Sequence, residues 1–441
     1  MWIGNFLFVA YFFYSSLQDE IDDDRVNLTQ LVKNFTRPTT SPVGQVITIY
    51  NGDNTLSNDT FMEIINFFNL SNCIQFRNVS KTQLSKGFNL TNGSYNDIII
   101  DKSKNITTIQ LNENCSKDDV CIRYFFGLAL GMIPQVNRED RDEYVYVIDN
   151  YTVSEKKHNY LKLNSSLFQD KQFEFDFGSF FNRNPNYGSE DSRKVYTTII
   201  GCQSYYDKML GQRLDYSFGD RRTLCNYYNI KAFPNVTCQN GGFYNFKTND
   251  CTCPNGYIGR DCSTLQQMPN CGFQNNSAET SEKYIFACGN KTCYYEINST
   301  RNKSIEIEIL TVNTKNVTPC VPYNALEIRH REDKGATGLS LCGHYNDTIS
   351  LTSISKKVFI GYNGGPDDYF LMSYRTAKKT SEKTNKKTNG KKKKEKKKTT
   401  KNEKKKKENS NDNINLKTNF TKLSNLDELN CTKLKELEHS T

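Results

Sequence analysis

In the first part of the chain, the spacing of hydrophobic residues switches between the alternation typical of a strand and the periodicity of a helix. Residues 44–51, GQVITIYN, alternate apolar and polar side chains, as a half-buried strand does. Residues 58–70 open with Asn and Asp, which favour a helix start. The apolar residues that then share one helical face are Phe61, Ile64, Ile65, Phe68 and Leu70. Residues 94–101 and 105–112 predict two more strands, and residues 124–132, YFFGLALGM, predict a helix. This order is typical of an α+β domain.

The pattern changes in the second half of the chain. Aromatic residues alternate along 171–181, KQFEFDFGSFF, and we expect less regular structure here than in the early part of the chain. Residues from Cys238 to Cys262 form a small module in which cysteines set the spacing. From Cys271 to about Tyr374 short β-rich segments are separated by turn residues, which predicts a sandwich or jelly roll. These segments are 293–297, 304–312, 325–331 and 357–363.

The N-terminus and the cysteine count both indicate an oxidising compartment. Residues 2–16 form an apolar run of signal-peptide length, followed by an acidic block. The run lacks a basic start, and a signal anchor or a buried N-terminal helix are the alternatives. Fifteen cysteines in such a chain are typical of a disulfide framework. We therefore expect a cleaved signal peptide at residues 1–17 and a secreted, extracellular protein.

Sequons for N-linked glycans are frequent along the chain, with roughly twenty N-x-S/T matches. A sequence rich in Asn, Ser and Thr also produces such matches by chance, so we expect several of them to carry glycans. The candidates are Asn69, Asn78, Asn105, Asn150, Asn235, Asn290, Asn316 and Asn346.

The positive charge is concentrated at the C-terminus. The chain has 58 basic and 49 acidic residues, and 21 Lys and 9 acidic residues lie in 376–441. The remaining 37 basic and 40 acidic residues leave residues 1–375 close to neutral. The tail has too little apolar surface to offset chain entropy, so we expect it to be disordered. A solvated tail and a tail that binds polyanions are the two interpretations.

Residues 124–132, YFFGLALGM, and 137–145, NREDRDEYV, resemble the active site of the astacins, a metzincin family of secreted zinc metalloendopeptidases. Their signature, H-E-x-x-H-x-x-G-x-x-H, is followed by an R-x-D-R-D-x-Y-V block. The matching residues are Gly127, Ala129, Leu130, Gly131, Arg138, Asp140, Arg141, Asp142, Tyr144 and Val145. The chain looks like a catalytically degenerate, nematode-type member of this family.

The residues that would carry the chemistry differ from the signature. Tyr124, Leu128 and Pro134 stand at the three zinc-histidine positions, and Phe125 stands at the catalytic glutamate. In the region that resembles the Met-turn, Phe175 replaces the methionine, Phe177 replaces the zinc-proximal tyrosine, and Gly178 is retained. The four histidines of the chain are His158, His330, His344 and His439. We therefore expect no zinc, no other cofactor and no catalytic residue, with these side chains packing the former cleft as core.

Nearby donors offer one alternative metal site. Cys115, Asp118, Asp119 and Cys121 precede the helix, but their spacing also fits a loop closed by a disulfide.

Two further resemblances follow the astacin-like region. Residues 238–262 resemble an EGF-like module that lacks one of the usual cysteines, and residues from Cys271 resemble a CUB domain. Asn324 replaces an aspartate that binds calcium in many CUB domains, so calcium is not expected there. The resemblances imply the disulfides Cys73–Cys225, Cys115–Cys121, Cys238–Cys251, Cys253–Cys262, Cys271–Cys293 and Cys320–Cys342. Cys202, Cys288 and Cys431 have no assigned partner, and a disulfide-linked dimer through Cys431 is one hypothesis.

The predicted organisation is multidomain. It comprises a signal peptide (1–17), a short pro or linker segment (18–37), a degenerate α+β astacin-like peptidase domain (38–229), a disulfide-rich EGF-like module (230–264), a β-sandwich CUB domain (271–375), and a disordered Lys-rich tail with a short C-terminal helix (376–441).

Three functions are compatible with this organisation. The first is an extracellular binding or regulatory pseudoprotease whose EGF-like and CUB modules contact proteins or glycans. The second is an active zinc metalloendopeptidase, which rests on the family resemblance alone. The third is a matrix protein or polyanion binder that uses the Lys-rich tail.

Overall fold

The computed structural model describes three packed units of the chain. The described residues are 21, 25–35, 46–70, 73–164, 173–228, 236–245, 248–300, 303–377 and 431–434. The predicted signal peptide lies outside them, and so does most of the Lys-rich tail.

A five-stranded sheet organises the first unit, and the predicted early elements are confirmed. Its strands are β1 (Val46–Asn51), β2 (Gln75–Asn78), β3 (Gly87–Asn92), β4 (Asp97–Asp101) and β5 (Ile106–Leu111). They lie in the order β2-β1-β3-β5-β4, and only the edge strand β4 is antiparallel to its neighbour. The helices are α1 (Leu28–Asn34), α2 (Asn58–Leu70) and α3 (Asp119–Ala129). The apolar face predicted for α2 is buried at Phe61, Ile64, Ile65 and Phe68.

The rest of this unit has little regular structure. Its elements are β6 (Val145–Val147), which pairs with β7 (Tyr196–Thr198), and the helices α4 (Gln203–Tyr206) and α5 (Phe218–Tyr228). The less regular structure expected after the early strands and helix is found at 173–181, whose described residues form turns and loop. Phe175, Phe177 and Phe180 are all fully buried. Asn182 donates hydrogen bonds to the backbone carbonyls of this segment in place of a neighbouring strand.

The second unit is a small module of two hairpins. The hairpins are β8 (Phe243–Asn245) with β9 (Asp250–Thr252), and β10 (Tyr257–Ile258) with β11 (Thr264–Leu265). Tyr257 packs against Phe359 of the third unit with ring centroids 5.3 Å apart, so the module does not stand alone.

The third unit is a β-sandwich, as the spacing of short strands predicted. One sheet has the order β12-β14-β20-β16-β17, and the other has β13-β21-β15-β18 with β19 also paired to β15. The strands are β12 (Asn275–Ala278), β13 (Lys283–Cys288), β14 (Lys291–Ser299), β15 (Ile305–Asn313), β16 (Leu326–Arg329), β17 (Leu339–Leu341), β18 (His344–Tyr345), β19 (Ile349–Thr352), β20 (Lys357–Gly364) and β21 (Tyr369–Thr376). Residues of both sheets share one apolar cluster.

Seven disulfides link the described cysteines. The six pairs implied by the resemblances are joined in the structure: Cys73–Cys225, Cys115–Cys121, Cys238–Cys251, Cys253–Cys262, Cys271–Cys293 and Cys320–Cys342. The seventh, Cys288–Cys431, was not anticipated. Cys202 is the one free cysteine among the residues that the structure describes, and it is half-buried.

The C-terminal end of the chain returns to the sandwich. Residues 431–434 form a helical turn in which Leu434 is fully buried against Cys288, Tyr369 and Leu371. The hypothesis of a dimer linked through Cys431 conflicts with this arrangement, because that sulfur is already bonded to Cys288. The Lys-rich stretch 378–430 is therefore covalently anchored at both ends.

Within the described ranges, no helix is both long and apolar enough to cross a membrane.

The disulfide Cys288–Cys431 predicts an unusual result of limited trypsin digestion. The stretch 378–430 contains 19 lysines, so trypsin should cut it first. The C-terminal fragment should stay attached to the body on a denaturing gel and separate only after reduction, because the disulfide spans the cut. In a Cys431→Ser control the fragment should separate without reductant. Release of the fragment from the wild-type chain without reductant would contradict the pairing.

Candidate functional site

Four residues stand at the zinc-histidine and glutamate positions of the signature, and helix α3 carries three of them. After its first turn this helix is buried on almost every side. Asp118 caps its start by accepting a hydrogen bond from the backbone N–H of Val120. Tyr124, Phe125 and Leu128 are at most 1% exposed. They belong to an apolar cluster, the sheet cluster, with members in every strand of the five-stranded sheet: Ile47, Ile49, Phe76, Phe88, Leu90, Ile98, Ile109 and Leu111. The helix forms and stays in place through burial of these side chains.

Aromatic rings fill the space around Tyr124. Its ring is stacked on Phe181 at 5.5 Å and meets Phe125 edge-on at 5.8 Å. The guanidinium of Arg213 lies 5.6 Å from the ring centroid of Tyr124. Pro134, at the third zinc-histidine position, is also buried.

Two glycines of the matched motif are required by close packing. A Cβ at Gly127 would collide with Phe181 and with the hydroxyl of Tyr216. Gly131 has φ +98 and lies under the ring of Phe35, whose nearest atom would be 2.6 Å from an added Cβ. Neither position tolerates a side chain, which gives these glycines a structural role that is independent of any metal.

Phe35 belongs to an N-terminal segment that packs into the same core. Val26, Leu28 and Leu31 are buried in the sheet cluster, and α1 lies against the edge strand β4. The sequence predicted residues 18–37 as a pro or linker segment. Its described residues, 21 and 25–35, contribute core side chains to the first unit.

Phe175 and Phe177 lie in a different place from the replaced positions on α3. They belong to the junction cluster, which combines Tyr206 and Met209 of the first unit with apolar residues of the sandwich. Phe177 packs on Tyr206 at 4.6 Å and on Phe175 at 4.9 Å. The expectation that all the replaced side chains pack one space is therefore wrong. The side chains on α3 pack in the sheet cluster, because α3 lies against the five-stranded sheet. Phe175 and Phe177 pack in the junction cluster, because the sandwich contacts their segment.

The arginine and aspartate block after α3 holds this region together. Arg138 is buried and pairs with Asp140 through two hydrogen bonds of 2.8 Å. The same guanidinium donates to the carbonyls of Phe173 at 2.7 Å and Glu174 at 3.3 Å. Because this arginine is buried and fully hydrogen-bonded, it fixes the backbone around residue 138 relative to the backbone of residues 173 and 174. The retained block thus connects the stretch that follows α3 to the segment that carries Phe175.

A loop of the β-sandwich covers the same segment, which the sequence did not predict. Residues 330–338, the β16–β17 loop, reach into the first unit. Arg331 donates a hydrogen bond of 2.9 Å to the carbonyl of Phe175, and its guanidinium lies 5.1 Å from the ring of Phe177. His330 is hydrogen-bonded through Nε2 to the hydroxyl of Tyr206 at 2.9 Å. Burial, followed by the charge of Arg331, lowers the pKa of His330 to about 4, so this histidine is neutral.

The residues at the zinc positions do not fit a zinc ion. Zinc in proteins is held by imidazole, thiolate or carboxylate groups. Leu128 and Pro134 carry no side-chain donor atom, and the ring of Tyr124 is enclosed by other aromatic rings. Cys115 and Cys121, considered as replacement donors, are joined in a disulfide. Across the described ranges, no three His, Cys, Asp or Glu side chains are grouped in a way that could hold a metal ion.

Two carboxylates are buried next to the segment that carries Phe175. Asp176 accepts a hydrogen bond of 2.7 Å from the hydroxyl of Ser217. Asp220 accepts from the hydroxyl of Ser179 at 2.6 Å and from the backbone N–H groups of Phe180 at 2.8 Å and Ser217 at 3.0 Å. Burial, and then the negative charge of Asp176, raise the pKa of Asp220 to about 7.

The raised pKa of Asp220 predicts a pH-dependent stability that Asp220→Asn should remove. An unfolded aspartate has a pKa of about 3.9, so the folded state holds this proton to a higher pH. Stability should therefore fall as the pH rises from about 4 to about 7. An Asn side chain can accept from Phe180 and donate to Ser179 while staying neutral. We expect the melting temperature of Asp220→Asn, relative to wild type, to be higher at about pH 7.5 than at about pH 5. Parallel pH profiles for the two proteins would contradict the assignment.

Comparisons with known proteins agree with the motif. Residues 40–229 match the family model of astacin, which describes a family of peptidases. Zinc metalloproteinase nas-34 of Caenorhabditis elegans is 29% identical over 252 residues, which are 56% of this chain and 41% of that protein. Blastula protease 10 of Paracentrotus lividus is 25% identical over 259 residues, which are 54% of this chain and 41% of that protein. The chain thus spans about two fifths of the length of these two relatives.

Solved structures with local similarity include proteins of two kinds. High choriolytic enzyme 1, a hatching enzyme zinc-protease from the medaka fish Oryzias latipes, is 20% identical with a TM-score of 0.38, covering 45% of this chain and 95% of that one. The CUB1-EGF-CUB2 domain of human MASP-1/3 is 18% identical with a TM-score of 0.21, covering 32% of this chain and 55% of that one. Both scores are too low to establish a shared fold. The family match and the curated relatives show that residues 40–229 form an astacin-family domain, homologous to metalloproteases.

Proposed function

We propose that this chain is a secreted pseudoprotease of the astacin type, which binds an extracellular partner without cleaving it. The observation that carries the proposal is the side-chain chemistry of α3 and the residues after it. Tyr124, Phe125, Leu128 and Pro134 are buried where the family places zinc ligands and the catalytic glutamate. Without those ligands no metal-bound water can be activated for hydrolysis.

The accessory units support a role in binding. We infer that the small module is EGF-like and that the sandwich is a CUB domain, both of which serve recognition in this family. Their partners would be extracellular proteins or glycans. Seven disulfides among the described residues are typical of an exported chain. The Lys-rich stretch adds a second candidate partner, a polyanion, because 19 lysines lie between two anchored ends.

An active zinc metalloendopeptidase is the alternative, and family membership of residues 40–229 favours it. Hydrolysis of casein or gelatin by the purified, secreted chain separates the two functions, with and without a chelator. We expect no cleavage above background under either condition, while an active astacin-family peptidase serves as the positive control. Metal analysis of the same material should find zinc well below one ion per chain. Chelator-sensitive cleavage that co-purifies with the chain would overturn the proposal.

Secretion also predicts which sequons carry glycans. A glycan must remain in solvent after folding, and five candidate side chains are exposed: Asn78, Asn105, Asn150, Asn290 and Asn316. Asn69 and Asn346 are half-buried, and their side-chain oxygens accept hydrogen bonds from the Phe76 N–H at 2.9 Å and the Thr311 hydroxyl at 3.0 Å. Asn235 lies outside the described residues.

We therefore expect enzymatic deglycosylation in heavy-oxygen water, followed by peptide mass spectrometry, to mark exposed sequons and to leave Asn69 and Asn346 unmarked. The two half-buried sites act as internal controls in the same digest. A fully glycosylated Asn69 or Asn346 would contradict the packing of these side chains.

A further inference from the structure

A buried ion pair joins the first unit to the sandwich. Arg222 of α5 donates two hydrogen bonds of 2.6 Å to the two carboxylate oxygens of Asp333 in the β16–β17 loop. Their side chains are only 3% and 9% exposed. Burial opposes the charge of Asp333, but the hydrogen bonds and charge of Arg222 outweigh it and lower the pKa of this carboxyl. The pair is therefore ionised and shielded from solvent screening.

The same loop contacts the segment 174–178 at successive residues. The backbone N–H of Glu174 donates to Asp333 at 3.3 Å, and the backbone N–H of Asp333 donates to the Glu174 carboxylate at 3.2 Å. Arg331 pairs with the Glu174 carboxylate at 3.1 Å. The backbone N–H of Thr337 donates to Asp176 at 3.2 Å. Side chain and backbone of one segment are thus both bonded to a loop more than 150 residues away in sequence.

Close backbone packing also fixes the loop. Gly335 leaves no room for a Cβ, because the guanidinium of Arg222 and the carbonyl of Gly241 lie against it. A Cβ at Gly178 would meet the hydroxyl of Thr337 at 2.5 Å. The loop therefore touches α5, the small module and the segment 174–178 at once.

We propose that the β16–β17 loop, and no metal ion, fixes the conformation of segment 174–178 and joins it to α5. In this proposal the sandwich is an obligatory partner of the astacin-family domain within the same chain. The role of the loop is independent of the proposed binding function, because it concerns how the domain is held and not what it binds.

Charge reversal in the full-length chain tests this role. Arg222→Asp and Asp333→Arg each leave two like charges buried together, so each should lower the melting temperature by roughly 5 °C or more. Amide deuterium exchange across 174–178 should accelerate by about tenfold or more. The double variant restores opposite charges and should recover at least half of both effects. If neither single variant changes exchange at 174–178, the proposal is wrong.

Two further measurements make the test specific. The control variant Glu306→Ala removes the partner of Arg375. This ion pair of 2.7 Å lies within the sandwich, and its side chains are 33% and 31% exposed. The control should leave exchange at 174–178 unchanged. Asp333→Asn keeps the shape of the loop and should accelerate that exchange by a smaller factor, so it replaces Asp333→Arg if that chain does not fold.

Adding or removing metal ions tests whether a metal, and not the loop, holds segment 174–178. Added zinc or a chelator should leave the melting temperature of the wild-type chain and exchange at 174–178 unchanged. Zinc that slows exchange at 174–178 would overturn the proposal. If the chain cleaves substrate and the charge reversals still accelerate exchange at 174–178, the proposed function is rejected and the role of the loop stands.

Discussion

The ion pair between Arg222 and Asp333 joins parts of the chain that are far apart in sequence. It places the β16–β17 loop against α5, and the loop in turn bonds to the segment 174–178. Removing one partner of a buried pair leaves an uncompensated charge, which costs about 3–5 kcal/mol. Folded domains are only marginally stable, so this cost is a large fraction of a domain's free energy of unfolding. Together with the contacts of Arg331 and Thr337, this pair joins the sandwich to the segment that carries Phe175.

The residues at the zinc-ligand positions show how a family scaffold can hold side chains that are not metal donors. Zinc ligands and a glutamate need a metal, water or hydrogen-bonding partners when they lie inside a protein. Phe125 and Leu128 need only apolar neighbours, and full burial of each contributes roughly 1.5–3 kcal/mol. The shape is maintained by other residues. Gly127 and Gly131 allow close approach, and Arg138 bonds the stretch after α3 to residues 173 and 174.

Local patterns were sufficient to predict much of the fold. A helix that overlaps 124–132, observed at Asp119–Ala129, and four of the ten sandwich strands follow from hydrophobic periodicity, which depends on nearby residues alone. The motif then located Tyr124, Leu128 and Pro134 without any structure. Contacts between distant parts of the chain were not predictable in this way. The bond between Cys288 and Cys431 spans 143 residues, and no spacing rule selects it. The assignment of Phe175 to the junction cluster depends on a loop that periodicity cannot place.

The ring of Phe35 on Gly131 bears on where the inherited unit of this chain begins. Sequence similarity sets the start of the family domain at residue 40, yet Val26, Leu28 and Leu31 fill its core from before that point. A boundary drawn by homology therefore runs through a packed interior. The segment ahead of the domain belongs to the same core as the helix it covers, so a change in side-chain volume on one side of that boundary has to be accommodated on the other.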